Sequence, residues 1–207
     1  MRKLTLAVAT AIAAAGMVSA GAVTTANAVS AKVDGKTLPA TWYGQETSYW
    51  CGPGSTKIAI SARKSPPSQS TLARYMGTTT NGTDHIGLVS SALNNYLGTS
   101  HYRTRNIPDP AGASHKAQLK KDLVASVNAG YALVGNVVSG WRPPGYPTGT
   151  IYHYVAIIGY AQNGDSALIA DPAGRGAAGP RWQNVPSSYW VTTDNLGRWI
   201  GGKGYAF

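Results

Sequence analysis

The sequence predicts an α+β fold, helices first and an antiparallel sheet second. Three observations carry the prediction. Between Ile86 and Val127, apolar residues recur at spacings of three and four, as Ile86, Val89, Leu93 and Tyr96 and again as Leu119, Leu123 and Val127. That is the period of a helix with one buried face. Further on, Tyr131 to Val138 and Ile151 to Tyr160 are apolar runs of strand length, and Asn163-Gly164 marks a hairpin turn before a return strand from Ser166 to Asp171.

The first stretch precedes the fold. Met1-Arg2-Lys3 is a basic start, followed by an alanine-rich apolar run from Leu4 to Val18. Ala26-Asn27-Ala28 offers a small-residue cleavage site, with Val18-Ser19-Ala20 as a second choice. This is the layout of a bacterial secretory signal peptide, and the run is short for a membrane anchor. The reading is a signal peptide over residues 1–28, an extended arm over 29–40 and one domain over 41–207. The protein is expected to be secreted and monomeric, without stable membrane insertion.

Cys51-Gly52-Pro53 opens the first helix, since proline fits a first helical turn, and Pro66-Pro67 stops it near Lys64. Ser70 to Met76 reads as a short helix closed by Gly77, and Thr78 to Gly82 as a loop. Asn81-Gly82-Thr83 has the form of a glycosylation sequon but reads as a turn. Thr83 or Asp84 caps the helix from Ile86, and Gly98 ends it. Ser100 to Gly112 is a polar connection, Ser114 caps the next helix, and Gly130 stops it. Lys116, Lys120 and Lys121 lie largely off its apolar face and are solvated. After the hairpin, Arg175 to Pro180 reads as flexible, and Tyr189 to Thr192 and Arg198 to Ile200 as edge strands.

The net charge of +10 falls to +8 without Arg2 and Lys3. The basic residues are scattered and form no stripe, which argues against nucleic acid and leaves attraction to an anionic cell wall. No second cysteine and no closely spaced histidines accompany Cys51, so neither a metal nor another cofactor is expected.

Chemistry centres on Gln45-Glu46-Thr47-Ser48-Tyr49-Trp50-Cys51-Gly52-Pro53, which holds the single cysteine of the chain. A leftover cysteine in an exported protein suggests a reactive thiol. At a helix N-terminus, unpaired N–H groups and the helix dipole favour the thiolate. Gln45, six positions upstream, can reach back as an oxyanion donor. A thiol nucleophile also needs a base and a group to orient it. His153 opens an apolar strand, where an imidazole needs a partner, and Asp171 lies one hairpin away. His85, His101 and His115 read as surface residues.

Gln45 with Cys51-Gly52-Pro53, His153-Tyr154-Val155 and Asp171-Pro172 resembles the bacteriocin-processing (double-glycine leader) peptidases, a family of papain-like cysteine peptidases. The resemblance extends to Thr78–Thr83, Leu88–Leu97 and Gly159-Tyr160, and covers most of the chain from Thr41 to Pro172. It implies a papain-like fold with the nucleophile helix packed on the sheet. It also implies a peptide or protein substrate cut beside small residues. Many members also carry transporter domains that are not read here, so no particular substrate carries over.

The hairpin makes a geometric demand. A two-residue Asn163-Gly164 loop would set Asp171 opposite Ala156, on the other face from His153. A three-residue Gln162-Asn163-Gly164 loop would set it opposite Val155, diagonal to His153 on the same face. An odd-length loop is therefore expected.

Two rival functions use the same sequence. A transglutaminase-like acyltransferase would employ the same cysteine, histidine and aspartate, with an amine in place of water. A secreted binding module would keep the fold without the chemistry, although all four positions are filled. For substrate contacts, Trp141 and Tyr146 in the proline-rich loop from Ser139 to Thr150 offer flat apolar surface, and Trp50 adjoins the nucleophile.

Overall fold

The computed structural model describes residues 34–138 and 140–207; the expected signal peptide and the first residues of the expected arm lie outside them. Helix α1, Cys51–Ser61, carries short and apolar side chains on all sides and is buried along most of its length, as suits a core helix. It ends ahead of Pro66. In α2, Gln69–Tyr75, the Ser68 hydroxyl accepts from the Thr71 N–H. Helix α3, Ile86–Leu97, buries Ile86, Val89, Ala92 and Leu93 and closes on Gly98 at φ 66°. Its N-cap is His85, which makes no capping bond, and not Thr83 or Asp84: Thr83 is buried and bonds to the Thr78 hydroxyl at 2.8 Å. Helix α4, Ala113–Asn128, buries Leu119, Leu123 and Val127, with Gly112 and not Ser114 at its N-cap.

Among the described residues, seven antiparallel strands form one sheet. They are β1 (Lys36–Thr37), β2 (Thr104–Asn106), β3 (Leu133–Val138), β4 (Tyr152–Ala161), β5 (Ser166–Ala170), β6 (Ser188–Thr192) and β7 (Gly204–Ala206). The order is β2-β7-β3-β4-β5-β6, and β1, from the expected arm, pairs with the far end of β4. Strand β4 is central and buried on both faces from His153 to Tyr160, which explains its unbroken apolar run. Helix α1 packs directly on it. This is the α+β arrangement, with five α-helices among the described residues.

Three expectations are corrected. Arg198 to Ile200 is not a strand but the end of α5, Thr193–Ile200. The Thr192 hydroxyl caps this helix through the Asn195 N–H, and Leu196, Trp199 and Ile200 are buried. The polar connection after α3 holds β2, and β7 fits between β2 and β3. Both are fixed by buried Asp122 of α4, which accepts from Arg105 Nε at 2.7 Å, Gln118 Nε2 at 2.9 Å and the Tyr205 hydroxyl at 2.6 Å. Finally, the segment from Arg175 to Pro180 is bound into short 3₁₀ turns, with the Arg175 N–H on the Val185 carbonyl at 2.7 Å.

Candidate active site

Cys51 is the first residue of α1, and 8% of its surface is exposed. Trp50 precedes it as an N-cap whose side chain makes no capping bond, so the thiol sits among the unpaired N–H groups of the helix start. A side chain is not tolerated at the next position. A Cβ on Gly52 would stand 2.3 Å from Thr83 Oγ1. The Thr83 segment is itself held against the sheet: the Tyr154 hydroxyl donates to the Thr83 carbonyl at 3.1 Å and accepts from Asn136 Nδ2 at 3.0 Å.

His153, 3% exposed, points from β4, and Asp171, fully buried, follows β5. Imidazole Nε2 lies 2.8 Å from Asp171 Oδ1. The hairpin achieves this differently from expectation. Ala161 pairs with Ser166, so the loop holds four residues, and an even loop alone would set Asp171 opposite Ala156. A bulge between Ile157 and Gly159 then shifts the register by one. Continued past Ala170, the shifted register sets Asp171 opposite Val155, on the His153 face.

Cys51 acts electrostatically on the His153 imidazole, and with Nε2 occupied by Asp171, Nδ1 is the nitrogen left for the thiol. Burial is the largest influence on the His153 pKa and lowers it. Attraction to the Asp171 carboxylate, the bond to it, and then the influence of Cys51 outweigh burial and push it up to about 10. Burial likewise raises the Asp171 pKa, but the charge of His153 and the bonds from His153, Tyr146 and Tyr189 hold it below the ordinary carboxylate value. The pair is therefore imidazolium and carboxylate through neutral pH.

Gln45 is 4% exposed beside the first turn of α1, its Cβ 3.5 Å from where a Cβ on Gly54 would stand. Its backbone N–H donates to the Pro172 carbonyl at 2.8 Å and Nε2 to the Thr47 carbonyl at 2.7 Å. One amide proton remains for a further acceptor. Cys51 also lines an open cleft of about 390 Å³, bordered by Tyr49, by residues 80–84 and by Asn136.

The family model described as the Peptidase_C39 like family matches residues 37–200. The chain belongs to this family. It is a papain-like cysteine peptidase, a hydrolase. No curated protein matches the chain. Among solved structures, the C39-like domain is similar to a C39-like peptidase from Bacillus anthracis, with a TM-score of 0.55 at 16% identity over 84% of this chain and 96% of that one. It is also similar to a double glycine motif protease from an AMS/PCAT transporter in complex with its leader peptide, with a TM-score of 0.51 at 14% identity over 82% of this chain and 91% of that one. A third likeness is to UfSP from C. elegans, with a TM-score of 0.51 at 13% identity over 84% of this chain and 33% of that one.

Two residues of the C39-like domain read from sequence as substrate contacts stand elsewhere. Tyr146 is 8% exposed, and its hydroxyl donates to Asp171 Oδ2, so its ring faces the core and its polar end is already engaged. Trp141 packs edge-on against buried Trp199 at 5.7 Å and lines a separate apolar groove with Trp190. Trp50 remains beside the nucleophile, half-buried, with Tyr49 edge-on at 6.3 Å. Three further residues around the dyad have roles that the sequence does not announce. The Tyr189 hydroxyl donates to Asp171 Oδ2 at 2.7 Å, Trp182 covers the His153 ring at 5.0 Å, and Trp42 Nε1 donates to the Asp171 carbonyl at 2.7 Å. Among the described residues, no helix is long and apolar enough to cross a membrane.

Proposed function

We propose that this chain is an exported C39-like cysteine peptidase that cuts peptide bonds through Cys51, His153, Asp171 and Gln45. The observation that carries the proposal is buried His153 paired with Asp171 at 2.8 Å and within electrostatic reach of Cys51.

The Cys51 thiolate attacks the carbonyl carbon of a peptide in the cleft. Negative charge developing on the oxygen meets the Cys51 backbone N–H and the remaining Nε2 proton of Gln45, each donor contributing roughly 3 kcal/mol in comparable sites. His153 delivers its Nδ1 proton to the leaving amine, giving a thioester. It then takes a proton from water, which attacks the thioester and releases the carboxylic acid. Asp171 orients the imidazole and stays ionised. A peptide substrate is supported by the leader peptide bound to the transporter protease of similar fold. Export is supported by the basic start, apolar run and small-residue site of residues 1–28, and the net positive charge favours an anionic cell wall.

The test is turnover of a diverse peptide library by the mature chain and by Cys51→Ala. The variant should fold and show no turnover; undiminished hydrolysis would sink the proposal.

A further inference from the structure

Tyr146 comes from the loop before β4 and Tyr189 from β6, yet their hydroxyls meet at one oxygen of Asp171. Both donate to Oδ2, Tyr189 at 2.7 Å, and the two phenol oxygens are 2.9 Å apart. Each phenol has one proton. With both protons spent on Oδ2, the contact between the phenols is an approach of two donors that a shared negative acceptor holds together. The other oxygen, Oδ1, accepts from His153 Nε2 at 2.8 Å and from the Ala173 N–H at 2.9 Å.

A carboxylate offers about four lone-pair sites and accepts at all of them only when ionised. Here four donors occupy them. A proton on Asp171 would have to displace one of these donors. The same count fixes the imidazole: Oδ1 only accepts, so Nε2 carries a proton and Nδ1 is the nitrogen that exchanges with the thiol. Burial alone asks of each tyrosine only some acceptor. It does not explain why both converge on the carboxylate oxygen that His153 leaves free.

We infer that Tyr146 and Tyr189 are positioning residues of the peptidase, which saturate Asp171 Oδ2 so that the carboxylate stays ionised with Oδ1 aimed at His153. This rests on the catalytic reading of Cys51, His153 and Asp171 given above. The two phenols also fasten the surroundings to the dyad. Tyr146 stands edge-on to Trp182 at 5.2 Å and to Trp199 at 5.3 Å, so the loop before β4 is anchored at the catalytic carboxylate.

The experiment uses the mature chain with Tyr146→Phe, Tyr189→Phe and both together, which keep the rings and remove only the hydroxyls. Three quantities are followed against pH: kcat/KM on peptide, the rate of Cys51 alkylation by iodoacetamide, and the midpoint of acid unfolding. Each single variant should lose several-fold in kcat/KM and the pair about tenfold or more, the scale of bonds to a charged group. The acid limbs of activity and alkylation, and the acid-unfolding midpoint, should all move to higher pH, because a carboxylate stripped of donors takes up a proton sooner. A purely structural role would lower thermal stability at neutral pH and leave the limbs in place. Limbs and midpoint coinciding with wild type in the double variant would overturn the inference. Failure of the catalytic reading is seen separately, as an unreactive Cys51 in the wild-type chain; whether the tyrosines hold Asp171 ionised is then decided by the pH dependence of the unfolding free energy, whose acid-side fall begins at higher pH in the double variant only if Asp171 takes up its proton sooner.

Discussion

His153 Nε2 and Asp171 Oδ1 stand 2.8 Å apart although the loop joining their strands, taken alone, would put them on opposite faces of the sheet. The bulge between Ile157 and Gly159 absorbs one residue and restores the face. Side-chain direction in a strand has period two, so parity decides whether the pair exists.

Deleting Ile158 should remove the bulge and keep the register, because Ile157 still meets Ile169. The variant should keep activity, at a stability cost for the lost buried side chain. Inserting one glycine between Ile169 and Ala170 should instead turn Asp171 to the other face and lower kcat/KM by roughly a hundredfold or more. Similar activities for the two variants would contradict the parity argument.

The charge state of His153 gives a pH prediction. Its pKa is raised from 6.5 to about 10 in the folded chain, burial being overcome by Asp171 and then Cys51. A raised folded-state value contributes stability that is fully present below about 6.5, the unfolded value, and is lost as pH rises toward 10. The alkaline limb of kcat/KM should accordingly lie near pH 10. In Asp171→Ala the burial effect is left largely unopposed, and the limb should move down by several units. A limb that stays in place would show that Asp171 does not hold the imidazolium.

Trp141 is expected to support the fold rather than select substrate. Trp141→Ala removes the edge contact with Trp199 and should destabilise the chain by roughly 2 kcal/mol, within the range for truncating packed aromatic side chains. Peptide preference should be unchanged. Altered preference at unchanged melting temperature would restore the loop as a substrate surface.

Gly52 is required by Thr83. Gly52→Ala must displace Thr83 or the start of α1, given a Cβ 2.3 Å from Oγ1, at roughly 1–3 kcal/mol. Because the displaced residue adjoins Cys51, kcat/KM should fall in parallel with melting temperature. Gly52→Ala combined with Thr83→Ser removes only a methyl and should recover little, since the clashing atom is Oγ1. Full recovery would place the conflict elsewhere.

Much of this architecture was legible because its signals are local. Helices α3 and α4 announce themselves by period and by glycine stops, and β4 by an apolar run that only a doubly covered strand sustains. Cys51, His153 and Asp171 stand out because an unpaired thiol and a lone imidazole in an apolar strand each demand a chemical reason. What escaped depends on tertiary partners. Strands β2 and β7 are three residues each, too short for a period, and exist because Asp122 ties Arg105 and Tyr205 together. Residues 198–200 look strand-like until Thr192 is recognised as a cap. Tyr146 shows in the sequence as an aromatic in a proline-rich loop, but nothing local says that its hydroxyl turns inward to a carboxylate. Even the parity of the hairpin was set by a bulge that no turn residue encodes.

The most direct measurement of the central claim is the rate of Cys51 alkylation by iodoacetamide against pH, in the wild-type chain and in His153→Ala. An unassisted thiol ionises near pH 8.5 and reacts slowly in mild acid. Rapid alkylation of the wild-type chain is expected at mildly acidic pH, with loss of that reactivity in His153→Ala. Slow alkylation in mild acid that rises only toward alkaline pH, alike in both proteins, would contradict it.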